Sequence, residues 1–152
     1  MIDFEKFDNA VDTKALQKEV AEAKTFTDVP NGTYIVAIDK MEIKPTKKND
    51  KLMFSIQCKI KEGQQKGRMI FMNRVISGNR ATDTWGDGKA IKSVVDWVNK
   101  LEPVKPVKFV TYSDFAEKIM DVYQDLQNTV EIEVDYNADK FDPIIIKEVF
   151  DL

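Results

Sequence analysis

Three segments decide the fold: TYIVAIDKMEIK (33–44), KLMFSIQCKI (51–60) and GRMIFMNRVI (67–76). Each alternates apolar and polar residues as a half-buried strand does, and Gly63 and Gly67 punctuate the connection between the second and third. They read as a three-stranded antiparallel meander. In the first, Tyr34, Val36 and Ile38 share one parity while Met41 and Ile43 share the other, a phase slip at Asp39 and Lys40 that implies a β-bulge. In the second, Leu52, Phe54, Ile56, Cys58 and Ile60 oppose Lys51, Met53, Ser55, Gln57 and Lys59. The third is apolar on both parities, with Met69, Phe71 and Val75 against Arg68, Ile70, Met72, Arg74 and Ile76. Two arginines favour water for the latter set. Phe54 and Phe71 are therefore expected in the core, and Ile70 and Met72 on the open face.

Charge separates this meander from the rest of the chain. Between Lys40 and Arg80 stand eight Lys and three Arg against Glu42, Asp50 and Glu62, a net of +8. The other residues carry 12 basic and 23 acidic groups, so the overall −3 is a +8 segment on a −11 remainder. A local positive field on an otherwise repelling molecule gathers polyanions at one place. Nucleic acid is the first candidate, with cations expected along one wall of the fold and acids on the far side.

Outward from the meander, VPNGT (29–33) is a turn that launches the first strand, and the preceding residues form a separate acidic appendage, 1–28, to a domain spanning 29–152. There Asp12 can cap a helix running to about Lys24, with Val11 and Leu16 placed as a hydrophobic staple. Its thin stripe of Val11, Leu16, Val20 and Ala23 predicts peripheral packing on the domain or on a second subunit of a homodimer. After the polar loop 77–88, Ala90, Ile91, Val94, Val95, Val98 and Leu101 recur at helical spacing, predicting a helix from Asp87 to Leu101 that Pro103 and Pro106 stop. VKFVTY (107–112) reads as extended, and Ser113 as the cap of a second helix with Phe115, Ile119, Val122 and Leu126 inward. Val130, Ile132, Val134 and Tyr136 then alternate with Glu131, Glu133 and Asp135 in a fourth strand with an acidic open face, and PIIIKEVF (143–150) is the fifth.

Three strands, a helical insert and two strands, with a bulged first strand, is the order of the OB-fold, a mainly β, five-stranded Greek-key barrel. That fold binds oligonucleotides across its second and third strands and the loops joining strands one to two and four to five. The run VPNGTYIVAIDKMEIKPTKKNDKLMFSIQCKIKEGQQKGRMIFMN, with VDTKALQKEVAEAK before it and IIIKEVFDL at the end, resembles a family of small bacteriophage and prophage proteins classed as a domain of unknown function. Members sit among replication and recombination genes and are taken to bind single-stranded DNA. The resemblance implies an OB-fold, a single-stranded-DNA ligand, and phage recombinase or replication proteins as partners. It covers nearly the whole chain.

Single-strand binders combine cations that track phosphates with aromatic platforms for bases. The cations here are Lys44, Lys47, Lys48, Lys51, Lys59, Arg68, Arg74 and Arg80; the central surface adds Met53, Gln57, Ile70 and Met72, and Trp85 and Phe141 stand in loops where they can stack or pack. Lysines on strand edges also keep sheets from aggregating, which is their bland reading. Binding led by charge predicts little sequence preference and marked salt sensitivity.

Histidine is absent, and with it the commonest general base and metal ligand. No phosphate loop, dinucleotide fingerprint or zinc spacing occurs, so a non-enzymatic protein without cofactor is expected. Cys58 is alone, on the apolar parity of its strand, and reads as a buried hydrophobe. No apolar run spans a bilayer, and the acidic MIDFEKFDNA start is unlike a signal peptide, so no membrane partner and a cytoplasmic place in a bacterial host are expected. The rival function is an OB-like interaction module whose basic face docks an acidic replication, recombination or host-defence protein.

Overall fold

A computed structural model describes residues 2–22 and 29–152. Its element order is α1 (Phe4–Ala10), α2 (Thr13–Glu22), β1 (Gly32–Pro45), β2 (Leu52–Ile60), β3 (Met69–Val75), α3 (Asp87–Asn99), α4 (Tyr112–Leu126), β4 (Val130–Tyr136) and β5 (Ile144–Asp151). The five strands make one antiparallel sheet in the order β3-β2-β1-β4-β5.

β1 organises the sheet because its bulge lets it serve two neighbours. Ile38 pairs with Cys58 and Lys40 with Gln57, so Asp39 is the extra residue, where the phase slip places it. Val36 and Ile38 face the core before the bulge and Met41 after it. The first part of β1, Gly32 to Val36, pairs with β4 from Tyr136 back to Ile132, while Val36 onward runs along β2.

The barrel expected from the element order is not closed. β3 and β5 lie at opposite edges of the sheet, and side chains occupy the gap between them. Arg74, on β3, reaches the Phe141 carbonyl and the Asp142 carboxylate just before β5. The Ile144 carbonyl, at the start of β5, accepts from Trp97 Nε1 of α3 at 2.9 Å. Polar groups along this seam are thus taken by side chains in place of a β3–β5 ladder.

β3 faces the opposite way from the expectation. Ile70, Met72 and Arg74 are buried, whereas Phe71 is 53% exposed. The register shows why: Cys58, inward on β2, sits opposite Ile70, and Ile56 opposite Met72, so those residues share the inner face. Arg74 follows them inward because fixed acceptors await its guanidinium.

Both long helices cover the inner face. α3 buries Ala90, Ile91, Val94, Trp97 and Val98, ending two residues earlier than expected although Leu101 is still buried. α4 buries Phe115, Ile119 and Val122, with Leu126 partly buried against the core. Its cap is Thr111 and not Ser113: Thr111 Oγ1 accepts from the Asp114 N–H at 3.1 Å. Residues 107–112 form no strand; Asn99 holds Val107 through both its N–H (2.7 Å) and its carbonyl (3.1 Å), imitating a ladder with one side chain.

At the N-terminus Asp12 does cap α2, accepting from the Lys14 and Ala15 N–H groups at 3.1 and 3.2 Å. A further short helix, α1, precedes it, and the expected helix end at Lys24 lies outside the described residues. Ile2, Phe4, Phe7, Val11 and Leu16 are all exposed. Cys58 is buried, and burial, aided by the charge of Asp39, pushes its thiol up to about 12, leaving it protonated and unreactive at neutral pH. No described helix is long and apolar enough to cross a membrane.

Candidate nucleic-acid interface

The outer face of β1, β2 and β3 is built of four cross-strand rows, because paired residues of antiparallel strands share a face. In order along β2 the rows are Ala37–Lys59–Met69, Lys40–Gln57–Phe71, Glu42–Ser55–Asn73 and Lys44–Met53–Val75. From Lys59 to Met53 this surface runs roughly 20 Å at the strand rise per residue. Lys44, Met53, Gln57 and Lys59 are brought together here as the sequence predicts. Lys40, Met69, Phe71 and Asn73 join them, though alternation alone did not single them out.

The β1–β2 loop extends the positive charge at one end. Thr46 N–H donates to the Lys51 carbonyl (2.9 Å) and Asn49 N–H to the Thr46 carbonyl (2.8 Å), with Asn49 at φ 56°, a left-handed turn that asparagine tolerates. Lys47 and Lys48 are exposed on its tip. Among the described residues no carboxylate lies within 4.0 Å of Lys47, Lys48, Lys51 or Lys59, while Lys40 and Lys44 share Glu42 at 3.5 and 4.0 Å. The acids collect across β1: Ile35 pairs with Glu133 and Thr33 with Asp135. Basic and acidic halves therefore divide one sheet along β1, where the sequence had suggested two opposite walls.

Of the remaining expected residues, Ile70 and Met72 are core side chains and offer nothing to a ligand on the outer face. Arg74, expected in water, is 7% exposed. Its Nη1 donates to Ser93 Oγ (2.8 Å), and its Nη2 donates to the Phe141 carbonyl (2.9 Å) and Asp142 Oδ1 (2.7 Å). Its guanidinium carbon lies 4.0 Å from the Phe141 ring centroid and 5.6 Å from that of Trp85. The two rings meet edge to face at 4.9 Å. Trp85 is thus half-buried in packing, whereas Phe141 remains 65% exposed. Arg68 is half-buried beside the β2–β3 turn and donates to Gln65 Oε1 at 2.7 Å; Arg80 is exposed on the loop after β3.

That loop is anchored by Asp87 at the start of α3. Its carboxylate accepts from the Gly78 N–H (3.1 Å), the Asn79 N–H (2.8 Å) and Asn79 Nδ2 (2.9 Å). These bonds, with the positive charge of Lys51, hold its pKa below the ordinary 3.8. A carboxyl depressed on folding stabilises the fold above its ordinary pKa, and that contribution is lost as pH falls through the lower folded value. Asp87→Asn is accordingly expected to be less stable than wild type at pH 6, with the gap narrowing as pH falls below the ordinary 3.8, as urea midpoints followed down the pH scale will show.

A mainly β protein with an open antiparallel sheet, helices between its third and fourth strands and an outer face basic on one half and acidic on the other is the class these features define. The chain belongs to the protein family of unknown function DUF669, whose model matches residues 16–148. Neither curated proteins nor solved structures give a match.

Proposed function

We propose that this is a single-stranded-DNA-binding protein of a bacteriophage or prophage, coating DNA during replication or recombination without catalysing a reaction. The fold is read as an OB-type barrel left open between β3 and β5. That reading is supported by the strand order, the bulged β1 shared between β2 and β4, and the position of the helices. The observation that carries the function is the meeting on one face of an exposed ring, Phe71, with Lys40, Lys44 and Lys59, continued by Lys47, Lys48 and Lys51. A ring offers every base the same π-face, and lysines track phosphates whatever the sequence.

The test is a salt titration of binding to labelled oligo-dT. Four to six neutralised phosphates give a slope of log affinity against log salt of roughly −3 to −4, at about −0.7 each. Replacing Lys47 and Lys48 by alanine should reduce the slope by about 1.4. A flat salt dependence contradicts the reading and favours a basic face that docks an acidic protein.

A further inference from the structure

One row of the outer face departs from the others. The rows of Lys59, of Lys40 with Phe71, and of Lys44 each present a cation, although in the Phe71 row the bulge residue Asp39 accepts from Gln57 Nε2 at 2.8 Å. Glu42–Ser55–Asn73 presents a carboxylate, a hydroxyl and a carboxamide with no cation among them. The Glu42 side chain is 23% exposed, between Lys40 and Lys44, which are 57% and 42% exposed. Exposed ion pairs of this kind add little to stability, so the fold does not explain the carboxylate. A surface that only tracked phosphate would lose by it, since it repels phosphate and competes for two of the lysines. Ser55 and Asn73, opposite one another, have no side-chain hydrogen-bond partner among the described residues. Asn73 follows Phe71 by two positions, hence on the same face about 7 Å along the strand.

Resting on the single-stranded-DNA reading above, we propose that Glu42, with Ser55 and Asn73, reads the edge of a base held at Phe71 and favours bases bearing an exocyclic amine over thymine. An ionised carboxylate only accepts hydrogen bonds. Cytosine offers it N4–H and adenine N6–H, the same donors that distinguish these bases in duplex recognition. Guanine offers two adjacent donors, N1–H and N2–H. Thymine has one N–H between two carbonyls, whose oxygens meet the carboxylate with like partial charge. Lys40 and Lys44, at 3.5 and 4.0 Å on either side, hold the carboxylate on this face while their exposed ammonium groups remain in reach of phosphate. The face thus selects composition and imposes no fixed sequence.

Fluorescence anisotropy with three labelled 12-mers tests this: all dT, dT with dC at every third position, and dT with dG at every third position. Wild type is expected to bind the substituted oligonucleotides about fivefold more tightly than all-dT. Glu42→Gln should bind all-dT more tightly than wild type does, with the ratio falling to about one. Asn73→Ala should lower the ratio without that gain. The ratio is taken within each variant, so a change in folded fraction cancels. Equal wild-type affinities, or a ratio that Glu42→Gln leaves unchanged while all three affinities rise together, would overturn base reading and leave Glu42 a counter-ion. Failure of all three to bind would overturn the nucleic-acid reading itself, and this inference with it.

Discussion

Phe71→Ala is expected to weaken binding to single-stranded oligonucleotides by about 5- to 160-fold while leaving the unfolding midpoint close to that of wild type. Base stacking on an aromatic side chain contributes ~1–3 kcal/mol per base, and every 1.36 kcal/mol is tenfold in affinity. The unfolding midpoint should hold because the ring is 53% exposed on an edge strand and stands apart from the buried row of Ile70 and Met72. Phe71→Trp, which keeps a π-face, should retain binding, whereas Phe71→Leu, which keeps only apolar area, should behave as alanine does. Equal loss for tryptophan and alanine would assign the ring to packing.

The second large effect concerns stability. Arg74→Ala is expected to destabilise the fold by about 2–3 kcal/mol, the range for losing hydrogen bonds made by a buried charged group, a large share of the ~5–15 kcal/mol of a typical domain. The guanidinium links β3 to the β4–β5 hairpin across the open seam, and its removal takes a donor from Ser93 Oγ, the Phe141 carbonyl and Asp142 together. Arg74→Lys keeps the charge but loses the planar fork and the stacking on Phe141, so it should fall between. Asp142→Asn should also destabilise, by less, because its side chain is 56% exposed and two other acceptors remain on Arg74. In the pair Arg74→Ala with Asp142→Asn the losses should sum to less than additive, since removing both partners leaves no unpaired charge. Urea denaturation of the four variants measures this, and a cost for Arg74→Ala below ~1 kcal/mol would return Arg74 to the solvent-facing role its charge suggests.

The contrast between these residues shows where sequence carries information. β1 and β2 were legible because apolar residues fill one parity and polar ones the other, so the buried face is dictated locally. Even the bulge at Asp39 was visible, as a change of parity within one strand. β3 was not legible, because it is apolar on both parities and its charge points to the wrong face. The deciding fact was the register across the hairpin, Cys58 opposite Ile70, and the connection through Gly63 and Gly67 does not fix that register by its composition. Arg74 could not be read locally either: its acceptors on Ser93, Phe141 and Asp142 are far along the chain and converge only in the fold. The same error hid Phe71, since burying the arginine parity is what turns the ring outward. The open seam was likewise beyond element order, which gives topology but not whether side chains such as Trp97 and Arg74 displace the last ladder.

On the proposed function the basic half of the sheet, and not the acidic half across β1, receives the nucleic acid. Titrating ¹⁵N-labelled protein with oligo-dT and following amide chemical shifts addresses it residue by residue. Shifts are expected to concentrate at Lys44, Lys47, Lys48, Gln57, Lys59, Phe71 and Asn73, with Glu131, Glu133 and Asp135 unmoved. Shifts centred on β4 and β5, or none in a folded protein at saturating oligonucleotide, would contradict it.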